Sequence, residues 1–320
     1  MNLEQLQSFI EVARTGHFTR AAAQLHLAQP SLSRQISTLE QDLGSELFHR
    51  ARGNITLTAA GEALLPLAQR MLADAETVRQ EMQELAGLHK GRVRLGAPPS
   101  LCISMVPEVL GSFHRNHPGI ELHLSEAGSR DLLTQLAGGT LDLALVVTSQ
   151  DGTAMTSSLE SIPLLREDLV VITATNDAYF ADKNTITLAE LADVPQIVFD
   201  QSYDLRRTTM DAYRSHELNP NVVLEGAEMD AVLRLVELGL GAAVVPAMVR
   251  LDRPSLRSVP LTAPSLTRTL SLAHRKDVSL TRAAKAMQEL IMSTATEFAS
   301  RGAGIKRLNQ LKRPSITPDR

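Results

Sequence analysis

The sequence lacks three features that would each indicate a particular class of protein. It has no run of roughly 20 uninterrupted apolar residues, so we expect no membrane-spanning helix and no membrane partner. Its first residues include Glu4 and Glu11, where a secretory signal peptide needs a basic segment followed by an apolar one. Cys102 is the only cysteine, which excludes an intramolecular disulfide and is typical of a reducing compartment. Together these absences predict a cytoplasmic location.

An excess of positive charge is also missing. The formal net charge is -4, and residues 1–58 carry five arginines against five acidic residues. Binding to nucleic acid would therefore depend on where the charges point rather than on their number.

Enzyme and metal motifs are absent as well. The sequence contains no G-x-S-x-G, no phosphate-binding P-loop and no G-x-G-x-x-G. His114 and His117 stand three apart, but no acidic or cysteine partner completes a metal-binding set. We expect no enzyme activity, no catalytic or metal-binding residues and no cofactor.

The length of 320 residues and the 43% hydrophobic content predict two or three compact globular units. Apolar residues at helical spacing predict three short helices in the first 43 residues, with Thr19 as the N-cap of the second helix and Pro30 at the first position of the third. A turn at Gly53 and Asn54 between two short strands then predicts a wing. We expect this small domain to cover residues 1–58.

Residues 59–90 predict one long linker helix that is capped by Thr58. Pro66 should kink the helix near its start, because it removes a backbone hydrogen bond. Apolar residues recur in steps of four and three, as in a coiled-coil seam, and predict a dimer. The seam consists of Leu64, Ala68, Met71, Ala75, Val78, Met82 and Leu85.

From residue 91 strands and helices alternate, which predicts an α/β domain with a mainly parallel sheet. We expect one lobe at 91–161 and 269–302, and a second lobe at 162–268. Residues 303–320 carry several basic side chains without a core-forming pattern and predict a flexible tail.

The third helix has the character of a recognition helix. Its apolar stripe leaves a polar face with Pro30, Arg34 and Gln41, which could approach the major groove of DNA. From the residues alone, the solvated face of an ordinary helical bundle explains the pattern equally well.

The segment FIEVARTGHFTRAAAQLHLAQPSLSRQISTLEQDLGSELFHRARGNITLTAAGEALL resembles the N-terminal domain of LysR-type transcriptional regulators. The similarity continues through GGTLDLALV and LVELGLGAAVVP to about residue 300. The resemblance implies a winged helix-turn-helix, a linker helix and a two-lobed domain like periplasmic binding proteins, with an effector between the lobes. It further implies homodimers that assemble into tetramers. By the same resemblance, DNA contacts come from Thr19, Gln29, Pro30, Ser31, Ser33, Arg34, Arg50 and Arg52.

Five residues at expected strand ends or helix starts are candidates for effector binding: Ser100, Thr148, Gln201, Ser202 and Glu228. Taken singly, each could instead cap a helix or form a turn. Ser100 and Ser202 suggest an anionic ligand, most simply an organic acid, that is held without a buried arginine. Glu228 opens an alternative, because a carboxylate that faces the cleft would favour an amine or a hydroxyl-rich ligand. Cys102 suggests packing more than redox sensing.

The sequence therefore predicts a transcriptional regulator that binds pseudo-palindromic double-stranded DNA and responds to a small-molecule effector. RNA polymerase is a further candidate partner. Two rivals remain open: a solute-binding protein or enzyme on the same fold, and a DNA-organising protein that needs no effector.

Overall fold

The computed structural model describes residues 1–51, 54–85, 91–148, 157–201, 203–302 and 304–308. The chain divides into two compact units. One comprises residues 1–90 and 134–141, and the other comprises residues 91–133 and the chain from residue 142 onward. Among the described residues, no helix combines the length and the apolar character that crossing a bilayer requires.

The first unit begins with three helices around a small apolar core, which are α1 (Leu3–Thr15), α2 (Phe18–Gln24) and α3 (Gln29–Leu43). Asn2 and Gln5 form a capping box at the start of α1, so two backbone N–H groups that lack helical partners are satisfied. Helices α1 and α3 both end at a glycine with φ of +67°, a conformation that glycine adopts without strain.

The start of α2 differs from the sequence-based expectation. The helix begins at Phe18, with the extended residue His17 in the N-cap position and no side-chain cap. Thr19 is therefore the second residue of the helix and not its N-cap, and its side chain is exposed. Similarly, Pro30 is the second residue of α3 rather than the first.

The predicted wing forms as an antiparallel pair of strands, β1 (Phe48–Ala51) and β2 (Asn54–Leu57). Phe48 anchors this hairpin, because its buried ring lies 5.3 Å from Phe9 and 6.1 Å from Phe18 between centroids. Aromatic contacts at these separations add to the stabilisation from apolar burial. The wing therefore shares the core of the three helices.

Helix α4 (Ala59–Leu85) follows, with Pro66 inside it. Thr58 caps the helix as expected, since its hydroxyl accepts the Gly61 N–H at 3.1 Å. The predicted seam divides into two parts. Leu64 and Ala68 pack into the core of the first unit, whereas the outward side chains of Met71, Val78 and Met82 are exposed. The apolar stripe available to a partner is therefore shorter than the sequence suggests.

The second unit alternates strands and helices. It begins with β3 (Gly91–Ala97), α5 (Pro99–Cys102), α6 (Met105–Asn116), β4 (Ile120–Glu126), α7 (Ser129–Ala137), β5 (Leu143–Thr148) and β6 (Leu159–Ala174). The last four residues of α7 belong to the first unit. It continues with β7 (Ile186–Thr187), α8 (Leu188–Ala192), β8 (Gln196–Phe199), α9 (Asp204–Ser215), β9 (Val222–Ala227), α10 (Met229–Glu237), β10 (Ala243–Pro246), a 3-10 helix (Ala247–Arg250) and β11 (Leu256–Thr262). The last long elements are β12 (Thr267–Arg275) and α11 (Arg282–Arg301).

The long strand β6 is shared by two lobes. Its first part, up to Asp168, pairs with β12, and its second part, from Leu169, pairs with β10 and β11. Strands β3, β4 and β5 build the first lobe, and β7 to β11 build the second. The pairs β3–β4, β3–β5 and β8–β9 are parallel, but every pair that β6 makes is antiparallel. The sheet is therefore mixed, and the expectation of a mainly parallel sheet was wrong.

The expected flexible tail from residue 303 begins as ordered structure. Ile305–Arg307 form β13, which pairs antiparallel with β6, and the Ile305 side chain is buried. One apolar residue in a short strand is enough to attach this segment to an existing sheet edge, and such a strand leaves little periodicity to detect. Residues 309–320 lie outside the described part of the chain.

Candidate functional site

The first candidate site is the outer face of α3. Leu32, Ile36 and Leu39 are fully buried, so the helical period turns Gln29, Pro30, Ser31 and Arg34 to the exposed side and leaves Ser33 half-buried. The Thr38 hydroxyl bonds back to the Arg34 carbonyl at 2.9 Å. A face of small polar side chains around one arginine results.

The arginines of the helix-turn-helix domain differ in whether an acidic residue lies close to them. Arg14 is neutralised by Glu11 at 2.7 Å. In contrast, Arg20 and Arg34 are exposed, and neither forms an ion pair with another residue in the described ranges. Arg20 follows Thr19 at the start of α2. The sequence analysis does not include Arg20 among the DNA-contact candidates, although its position next to the candidate Thr19 could have indicated it. The side chain of Arg50 and the whole of Arg52 lie outside the described part of the structure.

The second candidate site is a cavity of about 300 Å³ in the second unit. Its walls come from strand ends β3, β4 and β5 of one lobe and from the starts of α9 and α10 of the other. The carboxyl ends of strands in an open α/β sheet are the usual location of a ligand. The lining residues are Pro98, Pro99, Ser100, Glu126, Ala127, Gly128, Val147, Tyr203, Asp204, Leu205, Glu228, Met229 and Arg268.

A buried ion pair lies at the wall of this cavity, because one partner, Arg268, is a lining residue. Arg268 Nε donates to Glu167 Oε1 at 2.8 Å, and Arg268 Nη2 lies 2.6 Å from the same oxygen. Glu167 is fully buried and also accepts the Met248 N–H at 3.1 Å. Arg268 Nη1 donates to the Ser100 hydroxyl at 2.9 Å. The expectation of a site without a buried arginine was therefore wrong. The sequence could not show this pair, because Glu167 and Arg268 meet only through the tertiary fold.

Asp204 connects the two lobes at the cavity. One carboxylate oxygen accepts the Ser129 N–H at the start of α7 at 3.2 Å, and the other accepts from Arg207 at 2.7 Å. Ser129 follows β4 in the first lobe, whereas Asp204 is the first residue of α9 in the second. The carboxylate thus complements the positive end of α7, and the neighbouring N-cap position of α9 belongs to Tyr203.

Glu228 occupies the N-cap position of α10, but its side chain makes no capping hydrogen bond. Instead, its carboxylate accepts a hydrogen bond from the Tyr203 hydroxyl. Burial, the bond to Glu228 and the charge of Glu228 raise the pKa of Tyr203, with a smaller contribution from Glu126. Tyr203 also stacks on Phe199, with ring centroids 5.3 Å apart. Both glutamates therefore act electrostatically on one phenol at the cavity wall.

The structure brings together only some of the five candidate effector residues. Ser100 and Glu228 line the cavity. Thr148 is half-buried, 3.4 Å from the Ser271 hydroxyl, and Gln201 is exposed; neither is among the lining residues. Ser202 lies outside the described residues.

Cys102 borders this region as a half-buried thiol, 3.6 Å from the Ala97 carbonyl oxygen. Burial, the charge of Glu126 and a hydrogen bond to Glu126 raise the pKa of Cys102 to about 12. A thiol of this kind stays protonated and is a poor nucleophile near neutral pH. Across the described residues, no cluster of three or more His, Cys, Asp or Glu side chains could hold a metal ion.

Two family models match the chain in its separate parts. The model described as "Bacterial regulatory helix-turn-helix protein, lysR family" matches residues 3–62. The model described as "LysR substrate binding domain" matches residues 86–296, which is more than half of the chain. The chain belongs to the LysR family of transcriptional regulators. Members of this family are DNA-binding regulators with an effector-binding domain, not enzymes.

Relatives agree with this assignment over nearly the whole length. An uncharacterized HTH-type transcriptional regulator of Bacillus subtilis (strain 168), YybE, is 32% identical over 297 residues, which are 93% of this chain and 100% of the relative. A probable nitrogen assimilation transcriptional activator of Synechococcus elongatus is 35% identical over 275 residues, which are 85% of this chain and 88% of the relative.

Solved structures of LysR-type regulators share the fold. A full-length OxyR variant from Pseudomonas aeruginosa has a TM-score of 0.70 at 23% identity and covers 97% of this chain and 99% of that one. Full-length CbnR in a complex with its target DNA has a TM-score of 0.65 at 23% identity, with 93% and 100% covered. The winged helix-turn-helix, the linker helix and the two-lobed α/β domain predicted from the sequence are confirmed.

The raised pKa of Cys102 gives a direct test of its role in this LysR-type regulator. Because the shift favours the neutral thiol, roughly 10⁻⁵ of the groups are thiolate at pH 7, against a few per cent for an ordinary cysteine. The rate of alkylation by iodoacetamide should rise tenfold per pH unit from pH 7 to 10 without levelling off. The urea-unfolded chain, as the control, should level off near pH 8.5 to 9. A plateau below pH 9 in the folded protein would contradict this account.

Proposed function

We propose that this LysR-type regulator recognises a specific promoter sequence through α3 and that a small effector in the cavity changes its binding to that promoter. The carrying observation is the cavity of about 300 Å³ where both lobes supply walls. A ligand that contacts both lobes can favour their closed arrangement, and differential affinity of about 1–3 kcal/mol is a usual size for such coupling. In its simplest form the effector is an organic acid.

The DNA-binding part of the proposal assigns base contacts to Gln29, Pro30, Ser31, Ser33 and Arg34. The exposed face of α3 supports it, because short side chains permit close approach and an arginine can pair with guanine in the major groove. Contacts to phosphates or to the minor groove are assigned to Thr19, Arg50 and Arg52. Arg20 joins this group on the strength of its exposed charge.

The effector part assigns Ser100 and Glu228 to the ligand, together with Arg268 at the wall of the cavity. Ser100 accepts a hydrogen bond from Arg268, so its own proton is free to be donated toward the cavity. Thr148, Gln201 and Ser202 are also assigned to the effector site, with support only from their positions after strands in the sequence.

We propose four functional segments: residues 1–58 bind DNA, 59–90 form the dimer, 91–302 bind the effector and 303–320 form a tail. The start of this tail contains the short strand β13. The exposed stripe on α4 supports homodimers, and dimers would pair further into tetramers. A two-fold dimer matches a pseudo-palindromic DNA site. Regulation of promoters implies a cytoplasmic location and RNA polymerase as an indirect partner.

Selection of a binding site from random duplex DNA tests the first part. The full-length protein should enrich one pseudo-palindromic motif, and Arg34→Ala should bind that motif about 1–3 kcal/mol more weakly and with relaxed sequence preference at matched salt. Arg14→Ala removes an equal charge from an arginine that is already paired with Glu11, and it should bind nearly as the parent does. Failure to enrich any motif, or equal losses in both variants, would contradict base reading by Arg34.

A second test concerns the dimer. Val78 is 57% exposed on α4, so Val78→Asp should not disturb the folded subunit but should place a charge in the proposed apolar seam. The expected loss is at least about 2 kcal/mol of dimer stability, because a desolvated charge is costly without a partner. Arg79→Ala makes the same change in net charge one residue further along, at an exposed side chain, and should leave the dimer intact. Light scattering at low concentration distinguishes them, and a Val78→Asp protein that stays dimeric would argue against the seam.

A further inference from the structure

The charges around the cavity are not balanced. Arg268 is offset by Glu167, and Asp204 is offset by Arg207. Glu126 and Glu228 also line the cavity, and neither forms an ion pair with a cation within the described ranges. The residual charge of the lining is therefore negative. A ligand with negative charge alone would meet repulsion from both carboxylates.

The helix N-termini that could attract an anion are already complemented. The Ser129 N–H at the start of α7 is bonded to Asp204, which is itself the first residue of α9. Glu228 stands at the start of α10. Since the positive end of a helix attracts an anion less when a carboxylate already stands beside it, these three helices favour a second carboxylate less than uncompensated helix starts would.

The Ser100 hydroxyl is a donor at the cavity that lacks an acceptor among the described residues. Ser100 is 3% exposed, and its hydroxyl accepts from Arg268 Nη1 at 2.9 Å. That hydroxyl donates to no acceptor among the described residues. A buried hydroxyl proton without an acceptor is unfavourable unless a ligand or a water supplies one. The Ser100 position thus suits an oxygen acceptor of a ligand, next to a guanidinium that strengthens the bond.

Glu126 and Glu228 line the same cavity from different lobes. Glu126 ends β4 in the first lobe, and Glu228 precedes α10 in the second. Both raise the pKa of Tyr203, Glu228 through a hydrogen bond and its charge, and Glu126 through its charge. A cation between them would compensate both charges at once and would link the lobes.

We propose that the ligand is a zwitterion, with an ammonium or guanidinium group between Glu126 and Glu228 and a carboxylate at the Ser100 hydroxyl. This assignment rests on the proposed effector function and narrows its ligand from organic acids in general to those that also carry a cationic nitrogen. The available volume of about 300 Å³ suits a small metabolite of this class.

Calorimetric titration of the full-length protein with the common L-amino acids and short ω-amino acids tests the proposal. Each zwitterion is paired with the acid that lacks its amino group and with the amine that lacks its carboxylate. At least one zwitterion should bind, and both of its single-charge analogues should bind at least about tenfold more weakly, because each loses a charge-assisted hydrogen bond. Absence of binding by every zwitterion would overturn the proposal.

A sharper test is whether two cavity variants bind the ligand more weakly or more tightly than the parent protein. Glu126→Gln and Glu228→Gln should each weaken the zwitterion about tenfold and leave its deaminated analogue unchanged or tighter. Glu121→Gln, on the exposed side of the same strand β4 and away from the cavity, is the matched control and should have no effect. Tighter binding of the best ligand to both cavity variants would identify a pure anion and contradict the proposal.

The same variants separate this inference from the proposed function. If the best ligand is a pure anion and still changes binding to the selected DNA motif, the effector function stands and the zwitterion assignment fails. If a zwitterion binds with the expected dependence on Glu126 and Glu228 but leaves DNA binding unchanged, the ligand class stands and the regulatory coupling fails.

Discussion

The buried pair of Glu167 and Arg268 is the interaction on which the second unit most depends. The two residues face each other across the β6–β12 ladder, and Glu167 has no exposed surface. Their bonds also reach the Met248 N–H and the Ser100 hydroxyl. Two strands, the 3-10 helix and α5 are thus fixed to one another by a single charged cluster. Removing one partner of such a pair leaves a buried charge without compensation, which is far more costly than the pair is stabilising.

This arrangement determines what the cavity can recognise. The positive charge of Arg268 is already compensated by Glu167, so a ligand at the proposed site would meet the polarised hydroxyl of Ser100 rather than a free guanidinium. The carboxylates of Glu126 and Glu228 then set the residual charge of the walls. The shared strand β6 carries Glu167 in the part that pairs with β12, just before the part that pairs with β10 and β11. A ligand held above this point is well placed to influence both lobes.

The local sequence predicted helices and strands well where apolar residues recurred with the period of the element and a capping residue or turn marked its end. The strand TRTLSLAHR is β12 as observed, Thr58 caps α4, and the apolar stripe of α3 is buried as expected. Local signals failed where the outcome depended on distant partners. Leu64 and Ala68 belong to the seam by spacing, but the core of the first unit uses them. The segment at Ile305 has too little pattern of its own to predict a strand that an edge of β6 induces.

The candidate site divides along the same line. Ser100 and Glu228 were identified because they adjoin expected strand ends and helix starts. Arg268 and Glu167 were missed because they are 101 residues apart, and nothing in either local sequence indicates that they meet. The contribution of Glu126 and Asp204 to the charge of the cavity could be judged only from the structure, which pairs Asp204 with Arg207 and with the start of α7. Sequence therefore indicated where the proposed ligand site lies, whereas the tertiary structure was needed to infer the charge of the proposed ligand.

A double-mutant cycle on the buried pair tests the central claim most directly. The free energy of unfolding would be measured by urea titration for Arg268→Met, Glu167→Gln and the double variant; the amide oxygen of the new glutamine can still accept the Met248 N–H. We predict that Arg268→Met loses about 3–5 kcal/mol, because it leaves the Glu167 carboxylate buried and unpaired. The double variant should be clearly more stable than the sum of the single losses implies. Additive losses, or a loss below about 1 kcal/mol in Arg268→Met, would contradict the claim that this pair organises the domain.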